Sequence, residues 1–278
     1  MKLKYPFSDL ALARRLERAE ATANTEFVET RARLYPDSGA QWIEVAGAYA
    51  MYDGLHSPCT QTFGLGMFEP VGPTELEQLE TFFHSRKVPA HHEISPMADW
   101  SLFALLNERG YHPIEFTSVL FRPLSASAPL SIAHNDHIQV RLVAENEQEL
   151  WAQTAANGWS EHAEFGDVML EFSRLGAART GALNFLAELN EQPIATGGLF
   201  IHDGIALLAG ASTIPSARNQ GAQLAILDSR LRYAADQGCD LAMMGAAPGS
   251  TSQRNAERQG FRIAYTRIKW ALEHAQTL

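Results

Sequence analysis

The chain is poor in cysteine, in positive charge and in long apolar runs. Only Cys59 and Cys239 occur among 278 residues, one in each half and each inside an apolar stretch. That argues against a disulfide framework and leads us to expect a reducing, cytoplasmic setting. Lys and Arg number 22 against 32 Asp and Glu, a formal charge of −10. An excess of this sign argues against nucleic acid as a general partner, since phosphate backbones need basic surface. No apolar run reaches the length of a membrane span, so no membrane partner is expected. Arg14, Arg15 and Glu17 interrupt the short apolar stretch near the start, which is unlike a signal peptide. Neither G-x-S-x-G nor H-E-x-x-H occurs. His91-His92-Glu93 lies on a strand-like run whose adjacent residues face opposite ways, and His134 and His137 flank Asp136 without further ligands. No metal is therefore expected. Trp42, Trp100, Trp151 and Trp159 are assigned to packing.

What remains is globular usage, 46% hydrophobic and 19% charged, enough for one large or two modest domains. The most telling stretch runs from Thr213 to Gln223. Ile205 to Ala211 before it is almost wholly aliphatic or small, as a buried strand should be. After it Leu224, Leu227, Leu231 and Ala234 recur at helical spacing until Gly238. The joint holds Arg218 and, at the helix mouth, Gly221. Helix N-termini carry unpaired N–H groups and partial positive charge, and glycine lets an anion approach the backbone closely. The joint is thus a candidate diphosphate cradle, the alternative being an ordinary turn with a surface arginine. Ala222-Gln223 replaces the Lys-Ser/Thr pair of nucleotide-hydrolysing loops, and the segment lacks G-x-G-x-x-G. Asp240 to Met244 then reads as a strand and Gly245 to Ala247 are small. Ser250 and Gln253 have capping-box spacing before a helix that stops at Gly260, and a strand returns from Phe261 to Ile268.

From Ala211 to Trp270 the chain resembles the core of the GNAT superfamily of acyl-CoA-dependent N-acyltransferases. The family loop [QR]-x-x-G-x-[GA] is matched by Arg218-Asn219-Gln220-Gly221-Ala222-Gln223. The hydrophobic-Pro lead-in is matched by Ile214-Pro215 and the closing Gly-Phe by Gly260-Phe261. Gln223 departs from the pattern, which wants a small residue there. The resemblance implies acetyl-CoA as cosubstrate. Backbone groups of Ser212, Thr213 and Ile214 would hold the pantetheine arm, one of them, taken as Thr213, also serving the reacting carbonyl. Arg218, Asn219, Gln220, Gly221, Ala222 and Gln223 would hold the diphosphate, and Asn255 is a further candidate contact.

The halves repeat one another. Glu108-Arg109-Gly110-Tyr111 before a strand-like Phe116 to Phe121 parallels Glu257 to Phe261 before Tyr265 to Trp270. Upstream, Gln41 to Tyr52 and Thr60 to Phe68 are expected to pair as strands around Asp53-Gly54, followed by a helix over 74–86 and a strand over 91–94. The expected fold is α/β (α+β), two tandem GNAT-like domains, each a mixed, mostly antiparallel sheet flanked by helices. Domain bounds of 1–128 and 129–278 are expected, joined near 125–136 where Ser, Ala, Pro and Asn concentrate. The first helix mouth has no arginine. It has Thr74 and Glu77 in capping-box spacing with Glu75 and Glu80 close by, so that copy is expected to be degenerate and without cofactor.

Acyl transfer needs a base for an amine of pKa near ~10.4 and an acid for a thiol near ~8.5. The tyrosine that many members of the superfamily carry four positions before the closing glycine is Ala256 here. Tyr265 is a weak substitute as acid, more often a core residue. As base the best local set is Glu161 with His162, Glu164 and Asp167, in a loop that also reads as plain solvated surface. The expected activity is acetyl transfer from acetyl-CoA to an amine, of a small molecule rather than a protein. Two alternatives stand beside it: a CoA-binding regulatory module that has lost catalysis, and a sensor whose first domain binds a separate ligand. The oligomeric state is not legible.

Overall fold

The computed structural model describes residues 4–125, 135, 137–161 and 166–273. The chain packs as two compact units that do not follow sequence order. One comprises Met1–Tyr5 and Arg122–Met244, the other Pro6–Phe121 and Gly245–Leu278. The linker expected over 125–136 falls largely outside the described residues.

The second of these units opens with α1 (Leu10–Leu34), capped by the Asp9 carboxylate, which accepts from Leu12 N at 2.9 Å. Its stripe Leu12, Leu16, Ala19, Ala23 and Phe27 is buried, as helical spacing requires. β1 (Gln41–Val45) and β2 (Ala48–Tyr52) follow, then β3 (Thr62–Phe63), α2 (Pro73–His84), β4 (Ala90–Ile94), α3 (Trp100–Glu108) and β5 (His112–Pro123). The expected single strand over Gln41–Tyr52 is therefore a hairpin. It turns at Ala46 (φ 49°) and Gly47 (φ 72°), the left-handed pair that a two-residue turn demands. The stretch 60–68 supplies only β3, because Gly64 and Gly66, both at positive φ, curl the chain away.

The other unit holds β6 (Ile138–Leu142), α4 (Gln148–Asn157), α5 (Gly166–Ala178), β7 (Leu183–Leu189), β8 (Gln192–His202), β9 (Ile205–Thr213), α6 (Ala222–Asp236) and β10 (Leu241–Ala246). Its strand order is β6-β7-β8-β9-β10, antiparallel except for β9 with β10. The last elements, α7 (Thr251–Arg258) and β11 (Arg262–Leu272), return to the unit of α1. There the order is β1-β2-β3-β4-β11-β5. β11 pairs antiparallel with both β4 and β5, and the one parallel pair is β3 with β4. Each unit is thus a mixed, mostly antiparallel sheet flanked by helices, with a meander leading into a single parallel pair. No helix among the described residues is long and apolar enough to cross a membrane.

Candidate functional site

β9 and β10 are paired only over Ile205–Leu207 with Leu241–Met243. Beyond Leu207 the first strand runs on to Thr213 while still bonded to β8, so one edge of β9 has no β10 partner. Within this free stretch Ala209, Gly210 and Ala211 are exposed although they lie mid-strand. The small side chains leave the backbone open to a visitor. A bulge coincides with them. The register jumps from Thr196↔Ser212 to Gly198↔Ala209, setting Gly210 and Ala211 opposite Gly197 alone. Gly210 sits at φ +60°, the left-handed conformation that favours glycine at such a bulge.

Past Thr213 the chain makes a short 3-10 turn over Pro215–Ala217 and enters α6 through Asn219 (φ 62°) and Gly221 (φ 93°). Gly221 is the N-cap, and the helix has neither a side-chain cap nor an acidic residue in its first turn. The N–H groups of Asn219, Gln220, Gly221, Ala222 and Gln223 have no hydrogen-bond acceptor among the described residues. Consecutive amides around left-handed residues form an anion-binding concavity, and the helix dipole adds to it. Arg218, Asn219 and Gln220 are exposed.

The expected site residues fall into three groups. Those of the loop, Arg218 to Gln223, lie together at the mouth of α6. Arg218 reaches back to the α4 end, where Nη2 donates to Gly158 O at 3.0 Å and Nη1 pairs with Glu161. The expected base is thereby tied to the expected phosphate ligand. His162 and Glu164 lie outside the described residues, as do His134 and Asp136, and Asp167 is exposed in the first turn of α5.

The strand-end residues are already engaged. Ser212 Oγ donates to Ala155 O at 2.7 Å, Thr213 Oγ1 accepts from Gln223 Nε2 at 2.9 Å, and Ile214 N donates to Ile194 O at 3.0 Å. The Ile214 amide is therefore committed to the sheet, and the exposed strand edge is that of Ala209–Ala211, where the Ala209 and Gly210 carbonyls accept from Arg230 Nη1 at 3.3 Å and Thr196 Oγ1 at 3.4 Å. Its signal in the sequence was a run of small residues inside an aliphatic strand.

Asn255 and Tyr265 belong to the other compact unit. Asn255 Oδ1 accepts from Arg258 Nη1 at 3.3 Å. Tyr265 is buried and donates its hydroxyl to Glu17 Oε1 at 2.8 Å; burial beside that carboxyl pushes the phenol well above its usual range. This makes it a poor acid at neutral pH. Ala256 is buried on α7.

The start of α2 in the first half is arranged differently from that of α6. The expected cap Thr74 lies inside α2; its N-cap is Gly72, whose N–H donates to Glu75 Oε2 at 2.8 Å. Glu80 is not at the helix mouth but buried against Arg109 and Tyr111. Arg14 Nε donates to Met67 O at 2.6 Å, and Phe68 packs on Gly47 and Gly64 under the Arg18 guanidinium, 4.0 Å from its ring centre.

This fold is that of the GNAT acetyltransferases, in tandem. A GCN5-related N-acetyltransferase from Kribbella flavida matches 90% of this chain and 94% of its own, with a TM-score of 0.60 at 18% identity. Another, from Sphaerobacter thermophilus, matches 98% and 94%, with 0.56 at 15%. A tandem GNAT protein from the clavulanic acid biosynthesis pathway matches 92% and 96%, with 0.56 at 12%. At such identities the likeness is one of fold. No family model matches the sequence, and no curated protein matches it.

Proposed function

We propose that the chain is an acetyl-CoA-dependent N-acetyltransferase, with the donor bound by the unit that holds β9 and α6 and with an amine as acceptor. One observation carries the reading. An uncapped helix mouth with five unpartnered amides adjoins a strand edge that is bare for lack of a β10 partner. The residues present fit the donor. A diphosphate needs N–H groups without internal acceptors, supplied by Asn219 to Gln223, and a pantetheine amide chain needs a free strand edge, supplied by Ala209 to Ala211. Acetyl-CoA contributes an acyl thioester. The protein contributes orientation and a backbone N–H at the carbonyl oxygen, an effect worth about 3 kcal/mol for one such donor. Gly158 packs flush on Ser212, fixing the strand end against α4.

In the first half, Glu75 occupies the helix mouth and Phe68 fills the loop, which supports reading that copy as one that has lost its donor site. A non-catalytic CoA-binding role is favoured by one observation, Ala256 at the superfamily's tyrosine position together with the inert setting of Tyr265. Calorimetry with CoA and thiol release from acetyl-CoA across a panel of amines test both. Binding with release supports the enzyme, binding without release the module. Gly221→Asp places a carboxylate at a positive-φ position in the cradle and should weaken CoA binding by at least about 100-fold. An undiminished affinity would sink the site.

A further inference from the structure

Gln223 is the residue that departs from the family loop, and the structure gives it a task. Its Nε2 donates to Ser212 O at 2.8 Å and to Thr196 O at 3.3 Å, the facing carbonyls on one side of the β8–β9 bulge. Arg230 stands seven residues further along α6, two turns on and on the same face. Its Nη1 donates to Gly198 O at 2.9 Å and Ala209 O at 3.3 Å, the facing carbonyls on the other side. Gly197 makes room for this, since a Cβ there would come within 3.0 Å of Arg230 Cζ. Two side chains of one helix thus bracket the bulge.

The arginine is costly. It is 4% exposed, its Nε has no hydrogen-bond partner among the described residues, and the neighbouring Asp228 pairs with Arg232 instead. A buried cation held only by carbonyls weakens a fold, so its place there calls for another purpose. Geometry suggests that purpose. The Ala209 carbonyl and the Gly210 N–H belong to one planar trans peptide and point in opposite directions. With the carbonyl turned onto Arg230 and Gly198, planarity turns the Gly210 N–H away from β8, the side on which β9 has no β10 partner. A cation on the carbonyl also polarises the peptide and strengthens that N–H as a donor.

We propose that Gln223 and Arg230 are positioning residues that hold the bulge so that the Gly210 N–H faces the acyl carbonyl. This rests on the acyl-donor reading above. The test is hydrogen–deuterium exchange on the full chain with and without acetyl-CoA, on Gln223→Ala, Arg230→Met and Arg230→Lys. In the wild type, acetyl-CoA should protect both the loop 218–223 and the strand 208–214. In Gln223→Ala and Arg230→Met the loop should stay protected while strand protection falls about tenfold or more. Thiol release should drop by about 10- to 100-fold, with the fall in kcat exceeding the rise in KM for acetyl-CoA, and Arg230→Lys should restore part of both. Unaltered strand protection and turnover in the variants would overturn the proposal while leaving donor binding intact. Protection of neither segment in the wild type would instead remove the acyl-donor reading itself. Should Arg230→Met not fold, Gln223→Ala, half-buried at the start of the helix, decides alone.

Discussion

Glu17 is the residue whose setting departs furthest from what its type leads one to expect. It lies wholly buried on α1, facing Glu20 on its own helix, Glu93 on β4, and Tyr265 and Arg267 on β11. Lys269 reaches Glu93 at 3.6 Å from the side. Three carboxyls around one guanidinium leave an excess of negative charge, and burial pushes Glu17 from 4.5 up to about 7. The folded state therefore holds a proton that the unfolded chain releases above 4.5, so stability falls as pH rises from about 4.5 through 7. His92 works the other way. Buried and hydrogen-bonded to Tyr111 at 3.0 Å, it is pulled down to about 3, so unfolding takes up a proton below 6.5 and stability falls with acid. The two slopes oppose one another between about 4.5 and 6.5, and above that the Glu17 slope remains, with Glu93, also raised by burial, acting in the same direction. Glu17→Gln should flatten the decline between pH 6.5 and 8, raising stability at pH 8 by up to about 3 kcal/mol. Urea melts at both pH values check this, and equal slopes in the two proteins would refute it. None of it was legible in the sequence, because Tyr265 and Glu17 stand 248 positions apart. The turn through Gly221 into α6 was legible, because it is contiguous in the chain and set by backbone conformation.

At the scale of the element, the two helices that begin at equivalent joints behave differently. α2 closes its own mouth through Glu75, whereas α6 leaves its mouth open. Glu75→Ala should cost about 1 kcal/mol and lower the melting temperature by about 2–4 °C, without creating CoA affinity, since Phe68 still fills the loop. Scanning calorimetry and a CoA titration of that variant read both effects. Gly158→Ala is the complementary perturbation. A Cβ there would overlap Ser212 Oγ, so the α4 end and β9 must part. We expect lower stability and weaker CoA binding together, measured by melting and calorimetry. The long helices and strands were legible from period and caps, including the Ser250 cap of α7, which accepts from Gln253 N at 3.2 Å. The hairpin at Ala46–Gly47 was not, because alanine is rarely found at positive φ. The brevity of β3 escaped for a related reason. Its run is apolar enough for a strand, and only the backbone shows where the glycines bend it away.

For the whole molecule, repetition in the sequence and packing in space divide the chain differently. The repeat suggested a joint near 128, yet β11 is bonded on one side to β4 and on the other to β5. Fragment 1–128 would expose the edges of both strands and leave Glu17, Glu20 and Glu93 without Arg267. We expect it to be insoluble or unfolded when expressed alone, and a chain stopped at Gly260 to fail in the same way. A cooperative melt and dispersed amide spectrum from 1–128 would show that the strand is dispensable. A peptide spanning 261–278, supplied separately, should restore folding to the shortened chain.

The place of β11 also bears on synthesis. A ribosome delivers α1 and β1 to β5 early, but the strand that completes their sheet emerges long after them. Until then β4 and β5 present bare edges, the kind of surface on which chaperones act and nascent chains aggregate. Any break in synthesis before β11 would therefore spoil strands made long before it, so that maturation of β4 and β5 waits on a segment distant in the chain.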